Sequence, residues 1–130
     1  MPKMPDKQLY EYAVIRVVPR VEREEFLNVG LVLFCKRARQ IKVRFEIDEV
    51  KLLAFSPDLD LDQIRLNLDS FVRIANGMKT GGPIAHFDVP ERFRWLTAIR
   101  SSVIQTSRPH PGLCSNLDTA FERLFAEQVL

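Results

Sequence analysis

Apolar and polar positions alternate most clearly in the first half of the chain. Residues 9–18 are rich in β-branched and aromatic side chains and are followed by Pro19, so they predict a strand that ends there. Residues 26–35 are almost entirely apolar and predict a buried second strand, in which Gly30 indicates a bulge or a close backbone approach. Every second residue of 41–47 is apolar, which predicts a third strand with one solvated face.

Helical spacing begins after the third strand. Asp48 is a suitable N-cap for a short helix ending at residue 55, and a longer helix is predicted between Asp60 and Gly77. One face of the longer helix must pack on the sheet, because apolar residues recur along it every three or four positions. This core face comprises Leu61, Ile64, Leu68, Phe71, Val72 and Ala75. Leu66 and Ile74 lie on the opposite side, where they predict either ordinary surface residues or contact with a partner chain.

Two further helices and a late strand complete the predicted fold. Asp88 and Glu91 have the spacing of a capping box, and Asn116 is a suitable N-cap for a C-terminal helix. Residues 102–106 predict a short strand, and the proline-containing segment after it predicts a loop. We therefore expect one α+β domain over residues 1–130. Its antiparallel sheet has about four strands, an N-terminal hairpin meander plus the later strand, with about three to four helices packed on one face.

Composition narrows the class of protein. Hydrophobic residues make up 46% and charged residues 28% of the chain, which is typical of a globular domain. The net charge of +2 does not favour a nucleic-acid binder, because non-specific affinity requires many phosphate contacts. The longest apolar run is too short to cross a membrane, and the N-terminal residues lack the apolar core of a signal peptide. We therefore expect a cytoplasmic protein with reduced cysteines and no membrane partner, and leave a homo-oligomer open.

Common motifs for metal binding and catalysis do not occur in the sequence. The cysteines and histidines are Cys35, Cys114, His86 and His110, and they form no CxxC or HExxH pair. The Gly-rich phosphate loops and the nucleophile elbow also have no counterpart. The sequence therefore assigns no catalytic residue, no metal and no cofactor, and an enzyme is the less favoured interpretation.

A basic cluster lies along the tip and outer side of the predicted hairpin. It comprises Lys36, Arg37, Arg39, Lys42 and Arg44. Solvated charge on an edge strand prevents pairing with other chains, so we interpret this cluster as an ordinary edge, with an anion-binding face as the alternative.

Polar residues interrupt apolar segments in two places. The first polar stretch consists of Arg16, Arg20, Glu25 and Asn28. If the first two strands pair, these side chains meet at one end of the sheet, where Arg16 with Glu25 and Asn28 with backbone predict a structural network. The second polar stretch consists of Arg94, Arg100, Ser102, Gln105 and His110. Such groups bind a phosphate or carboxylate where they converge, and otherwise bond backbone and water.

Three patches of the chain carry a resemblance to a known family. They are YEYAVIRVVPRVEREEFLNVGLVLFC at residues 10–35, ERFRWL at 91–96 and RSSVIQTSRPHPGL at 100–113. In these motifs the chain resembles the bacterial domain of unknown function 3037 family, over most of its length. The resemblance implies a single-domain member without an established activity or catalytic residue. Family members are similar to accessory proteins encoded beside HipA-like kinases, so the resemblance also implies a kinase of that type as a partner.

Two hypotheses from different classes follow. The first is a non-catalytic cytosolic interaction module, which binds a protein partner through the polar end of the sheet or through the helix side that carries Leu66 and Ile74. The second is a protein that binds or processes a nucleotide or nucleic acid with the second polar stretch. It requires that this stretch converge with Arg16 and Arg20.

Overall fold

An antiparallel sheet runs through the computed structural model, which describes residues 7–100 and 102–130. Residues 1–6 and Ser101 lie outside the described residues. Within these ranges the strands are β1 (Gln8–Val17), β2 (Leu27–Cys35), β3 (Gln40–Phe45), β4 (Ile104–Thr106) and β5 (His110–Cys114). The helices are α1 (Glu49–Phe55), α2 (Leu61–Ala75), α3 (Val89–Leu96) and α4 (Leu117–Gln128). The predicted α+β class with an antiparallel sheet is confirmed.

The strands β1, β2 and β3 form the predicted meander. Ile15 pairs with Gly30 but Arg16 pairs with Asn28, so Val29 is an extra residue that forms a bulge in β2. A Cβ on Gly30 would lie 2.7 Å from the carbonyl oxygen of Arg44 in β3. Both features that Gly30 indicated, a bulge and a close backbone approach, are therefore present.

The strands β4 and β5 share the free edge of β1. Thr106 pairs with Ile15 and His110 pairs with Tyr12, so four steps along this edge match three steps along β1. The edge is thus one strand interrupted by a bulge around Ser107. The sequence prediction of a loop over 110–114 was wrong, because Pro111 is tolerated on an edge strand whose outer side needs no hydrogen-bond donor.

Helices cover both faces of the sheet. Ala13, Ile15 and Val17 of β1 pack with residues of α2 and α3, whereas Tyr10 and Val14 pack with α4. Placing all helices on one face was therefore wrong. The apolar residues of β1 occupy both alternating sets of positions, and a strand that is apolar on both faces is covered on both.

The polar face of β3 lies against α4 rather than in open solvent. Lys42 forms an ion pair with Asp118, and Arg44 forms one with Glu122 at 3.3 Å. The guanidinium of Arg44 also lies over the ring of Phe125, at 4.3 Å from its centroid. Lys42 and Arg44 of the basic cluster thus contact α4. Their ion pairs with acidic residues of the helix allow a charged strand face to pack against it.

The predicted N-caps form in three of four helices. Asp48, Asp60 and Asn116 each accept a hydrogen bond from a backbone N–H three residues later. Asp88 precedes α3 but its side chain makes no capping hydrogen bond, so the predicted capping box is absent. Among the described residues, no helix has both the length and the apolar character that a membrane span requires.

Candidate functional site

The first polar stretch is divided between different contacts. The side-chain amide of Asn28 donates to the carbonyl oxygen of Gln128 at 2.9 Å, which ties β2 to the C-terminal end of α4. Arg16 lies over the ring of Phe26, 3.9 Å from its centroid, and burial lowers the pKa of its guanidinium. Glu25 forms its ion pair with Arg23. The predicted bond of Asn28 to backbone is confirmed, whereas the ion pair of Glu25 is made with Arg23 instead of Arg16.

The two polar stretches meet on the sheet at Arg16. In register, Arg16 lies between Asn28 on β2 and Gln105 on β4. Three clefts of the described part of the chain separate the two stretches. Arg20 and Glu25 line a cleft of about 290 Å³ beside the α1–α2 connection, and Asn28 lines another of about 250 Å³ near the C-terminus.

A third cleft, of about 280 Å³, gathers the centre of the second polar stretch. It lies between α2, the C-terminal end of α3, and β4, and we name it the α2–α3 cleft. Its polar lining residues are Asn67, Ser70, Arg100, Ser102, Gln105 and Thr106. Its apolar lining comprises Phe71, Ile74, Trp95, Leu96 and Ile104. Such a mixture of apolar floor and few polar groups is typical of binding clefts.

Two of the predicted residues in the cleft stabilise its own backbone. The Ser102 hydroxyl donates to the carbonyl oxygen of Ile104 at 2.5 Å, and the Gln105 amide donates to the carbonyl oxygen of Ser102 at 2.9 Å. These bonds shape the turn that enters β4. Ser102 and Gln105 therefore contribute the structural role that was the alternative interpretation of the stretch.

Arg100 differs from its neighbours in the cleft. Its guanidinium donates to the carbonyl oxygen of Trp95 and lies 4.3 Å from the centroid of the Trp95 ring, so the cation stacks on the indole. Burial lowers the pKa of Arg100. An arginine nevertheless remains protonated at physiological pH, so the cleft contains a partly desolvated positive charge.

Other predicted residues lie elsewhere. Arg94 is exposed on α3 and does not line the α2–α3 cleft. His110 lies on β5 beside Tyr12, with 5.4 Å between ring centroids. Ile74 is buried, so its assignment to the partner surface was wrong, whereas Leu66 is 63% exposed. The core of α2 is broader than the stripe that the sequence indicated, because α3 and β4 also pack on it.

The cleft also contains residues that the sequence did not single out. Asn67 and Ser70 come from the flank of α2, Trp95 from α3, and Thr106 from β4. The oxygen of the Thr106 hydroxyl is buried and has no hydrogen-bond partner among the described residues. Asn67 and Ser70 lie beside the apolar stripe of α2, and this position was a weak indication that they line a cleft. The sequence contained no signal for Thr106, because α2, which lies far from it in the sequence, packs beside β4.

The described residues contain no group of three or more His, Cys, Asp or Glu side chains placed to hold a metal ion. Neither Cys35 nor Cys114 forms a disulfide with a described residue. Burial, with a further contribution from Cys35, raises the pKa of Cys114.

Comparison with known proteins yields one match. The model of a family described as "Protein of unknown function (DUF3037)" matches residues 12–129, which is nearly the whole chain. No curated protein and no solved structure matches. The motif-based resemblance and the family match therefore agree.

Proposed function

The chain belongs to the DUF3037 family, and we propose that it is a non-catalytic accessory module of the bacterial cytoplasm that binds a protein partner over the α2–α3 cleft. The partner covers the cleft together with exposed apolar residues that lie in it or next to its lining residues in the sequence. This proposal keeps the outer side of α2 as a binding surface. It replaces Ile74, which is buried, by residues of the opposite wall.

Exposed apolar residues in the cleft and next to its lining in the sequence are the observation that carries this proposal. On α2, Leu66 is 63% exposed and directly precedes Asn67, which lines the cleft. On the other wall, Trp95 is 38% exposed, and Ile99, next to Arg100, is fully exposed. Exposed apolar residues around polar groups are typical of protein-binding surfaces, and Trp and Arg are enriched among the residues that contribute most affinity.

The proposal also names a class of partner, a HipA-like kinase. The family resemblance implies that DUF3037 proteins accompany HipA-like kinases. A kinase of that type from the same host is therefore the first partner to test. Binding of this kind leaves the chemistry to the kinase, and the present chain supplies a surface.

Calorimetric titration of the purified kinase with three forms of the chain tests the proposal. Leu66→Asp places a charge in the proposed interface and is expected to weaken binding about tenfold, or about 1.4 kcal/mol. Leu113→Asp is the matched control, since Leu113 is 62% exposed but lies on β5, away from the cleft. Thermal unfolding of both variants is expected to match the wild type, because both positions are exposed.

Two results distinguish the surface from the partner class. Equal binding by Leu66→Asp and wild type would exclude the surface. If the kinase does not bind at all, the partner class is wrong, and affinity purification from the native host with the same variants tests the surface by itself. A host protein retained by wild type and Leu113→Asp but lost with Leu66→Asp supports it, and equal retention contradicts it.

A further inference from the structure

An unbalanced positive charge lies in the α2–α3 cleft. Arg100 is the charged residue among the described residues that line it, and it forms no ion pair with an acidic side chain of the described part of the chain. The guanidinium donates to one backbone carbonyl, that of Trp95, and makes no other hydrogen bond with the described residues. A guanidinium has five N–H donors in a planar fork that matches a carboxylate or phosphate. Arg100 is therefore available for an anion.

Polar groups at the floor and wall of the cleft are also incompletely bonded. The Thr106 hydroxyl is buried without a partner among the described residues, and leaving such a group unpaired is costly. The side-chain oxygen of Asn67 accepts from the Gln63 amide at 3.0 Å, so the Asn67 NH₂ group remains free to donate. A ligand oxygen in the cleft would accept from the Asn67 NH₂ group, whereas the Thr106 hydroxyl is closed to it.

The remaining lining is apolar. Phe71, Ile74, Leu96 and Ile104 are buried residues that also line the cleft. A bare inorganic anion would leave this surface in contact with water, whereas an apolar group would cover it. The volume of about 280 Å³ suits a small organic molecule rather than a polymer segment.

We propose that the α2–α3 cleft is a binding site for a small organic anion, a molecule with a carboxylate or phosphate group beside an apolar ring or chain. The anion pairs with Arg100 and accepts from the Asn67 NH₂ group, and its apolar part lies on the floor. This site goes beyond the proposed protein-binding function and requires no protein partner. It excludes Arg20, Arg94 and His110, which lie outside the cleft.

The single tryptophan of the chain is a built-in reporter of this site, because it is Trp95. The purified protein is titrated with benzoate and with its neutral isostere benzamide, and with adenosine monophosphate and its neutral counterpart adenosine. We expect each anion to change the Trp95 emission at millimolar or lower concentration and to bind more tightly than its neutral counterpart. The two pairs distinguish a carboxylate from a phosphate ligand, and inorganic phosphate tests whether the apolar part is needed.

Matched variants connect the signal to the residues. Arg100→Gln is expected to weaken anion binding about tenfold or more and to remove the preference over the neutral isostere. Arg94→Gln is the control, because Arg94 is an exposed arginine of α3 that does not line the cleft. Thr106→Val should leave anion binding unchanged, because the buried hydroxyl is closed to the ligand, and should keep or raise the melting temperature of the free protein, since the hydroxyl has no partner to lose among the described residues.

The proposal is overturned if no anion changes the Trp95 emission at millimolar concentration. It is equally overturned if Arg100→Gln binds the anions as well as Arg94→Gln does. Anion binding that survives in Leu66→Asp supports the site independently of the protein surface. The two proposals therefore succeed or fail separately.

Discussion

The side chain of Ser107 substitutes for backbone in the pairing with Val14. The N–H of Val14 donates to the Ser107 hydroxyl at 2.9 Å, and the N–H of Ser107 donates to the carbonyl oxygen of Val14 at 2.8 Å. These bonds bridge the gap between β4 and β5, where the bulge interrupts the regular ladder. Ser107 is accordingly buried although it is polar. Its hydroxyl belongs to the sheet and not to a ligand site.

Ser107→Ala is expected to lower the free energy of unfolding by about 1–3 kcal/mol, because the buried Val14 N–H loses its acceptor. Urea denaturation followed by circular dichroism measures the change. Ser115→Ala is the control, since Ser115 is exposed and such surface changes stay within about 0.5 kcal/mol. Equal stability of the two variants would show that Val14 finds another acceptor.

Gly112→Ala is expected to destabilise the pairing of β5 with β1. Gly112 lies opposite Tyr10, and an added Cβ would overlap the Tyr10 ring. The buried ring has little room to move, so we expect a cost of about 1–3 kcal/mol in unfolding free energy. In a Tyr10→Leu background the same substitution should cost less. A double-mutant cycle with no coupling between the two positions would contradict this contact.

The two aspartates that precede α2 and α3 are expected to differ in their effect on stability. Asp60 accepts from the backbone N–H of Gln63 at 3.1 Å, so Asp60→Ala should cost about 1 kcal/mol. Asp88 makes no such bond, and Asp88→Ala should change the unfolding free energy by less than about 0.5 kcal/mol. Denaturant midpoints compare the variants. A larger loss for Asp88→Ala than for Asp60→Ala would mean that the capping box forms in solution.

Cys114 is expected to make stability depend on pH in the alkaline range. Its pKa lies above the usual 9.0, chiefly because burial disfavours the thiolate. The unfolded chain therefore loses this proton first, and the contribution to stability is present below pH 9.0 and is lost as the pH rises through the folded-state pKa. Cys114→Ser should flatten the fall of the urea midpoint between about pH 8 and about pH 10. Parallel pH profiles of wild type and variant would rule out this contribution.

The candidate site was predictable only where its residues are close along the chain. Arg100, Ser102 and Gln105 lie in one cleft because they belong to the same short connection into β4. Arg94 and His110 are equally near in sequence, but the helix directs one side chain to solvent and the bulge carries the other to the far part of β1. Sequence proximity thus indicated the segment without deciding which of its side chains share a cleft.

The amino-acid pattern by itself determined the first three strands, all four helices, three of their caps and the special role of Gly30. These features are local, because alternation, helical spacing and capping bonds involve residues a few positions apart. The tertiary structure alone decided that α4 covers the second face, that β5 joins the sheet, and that Asn67 and Thr106 line the same cleft as Arg100. Periodicity indicates that a side chain is buried, but it does not identify the element that buries it. Contacts such as that of Ser107 with Val14 join residues 93 positions apart, which a local pattern cannot predict.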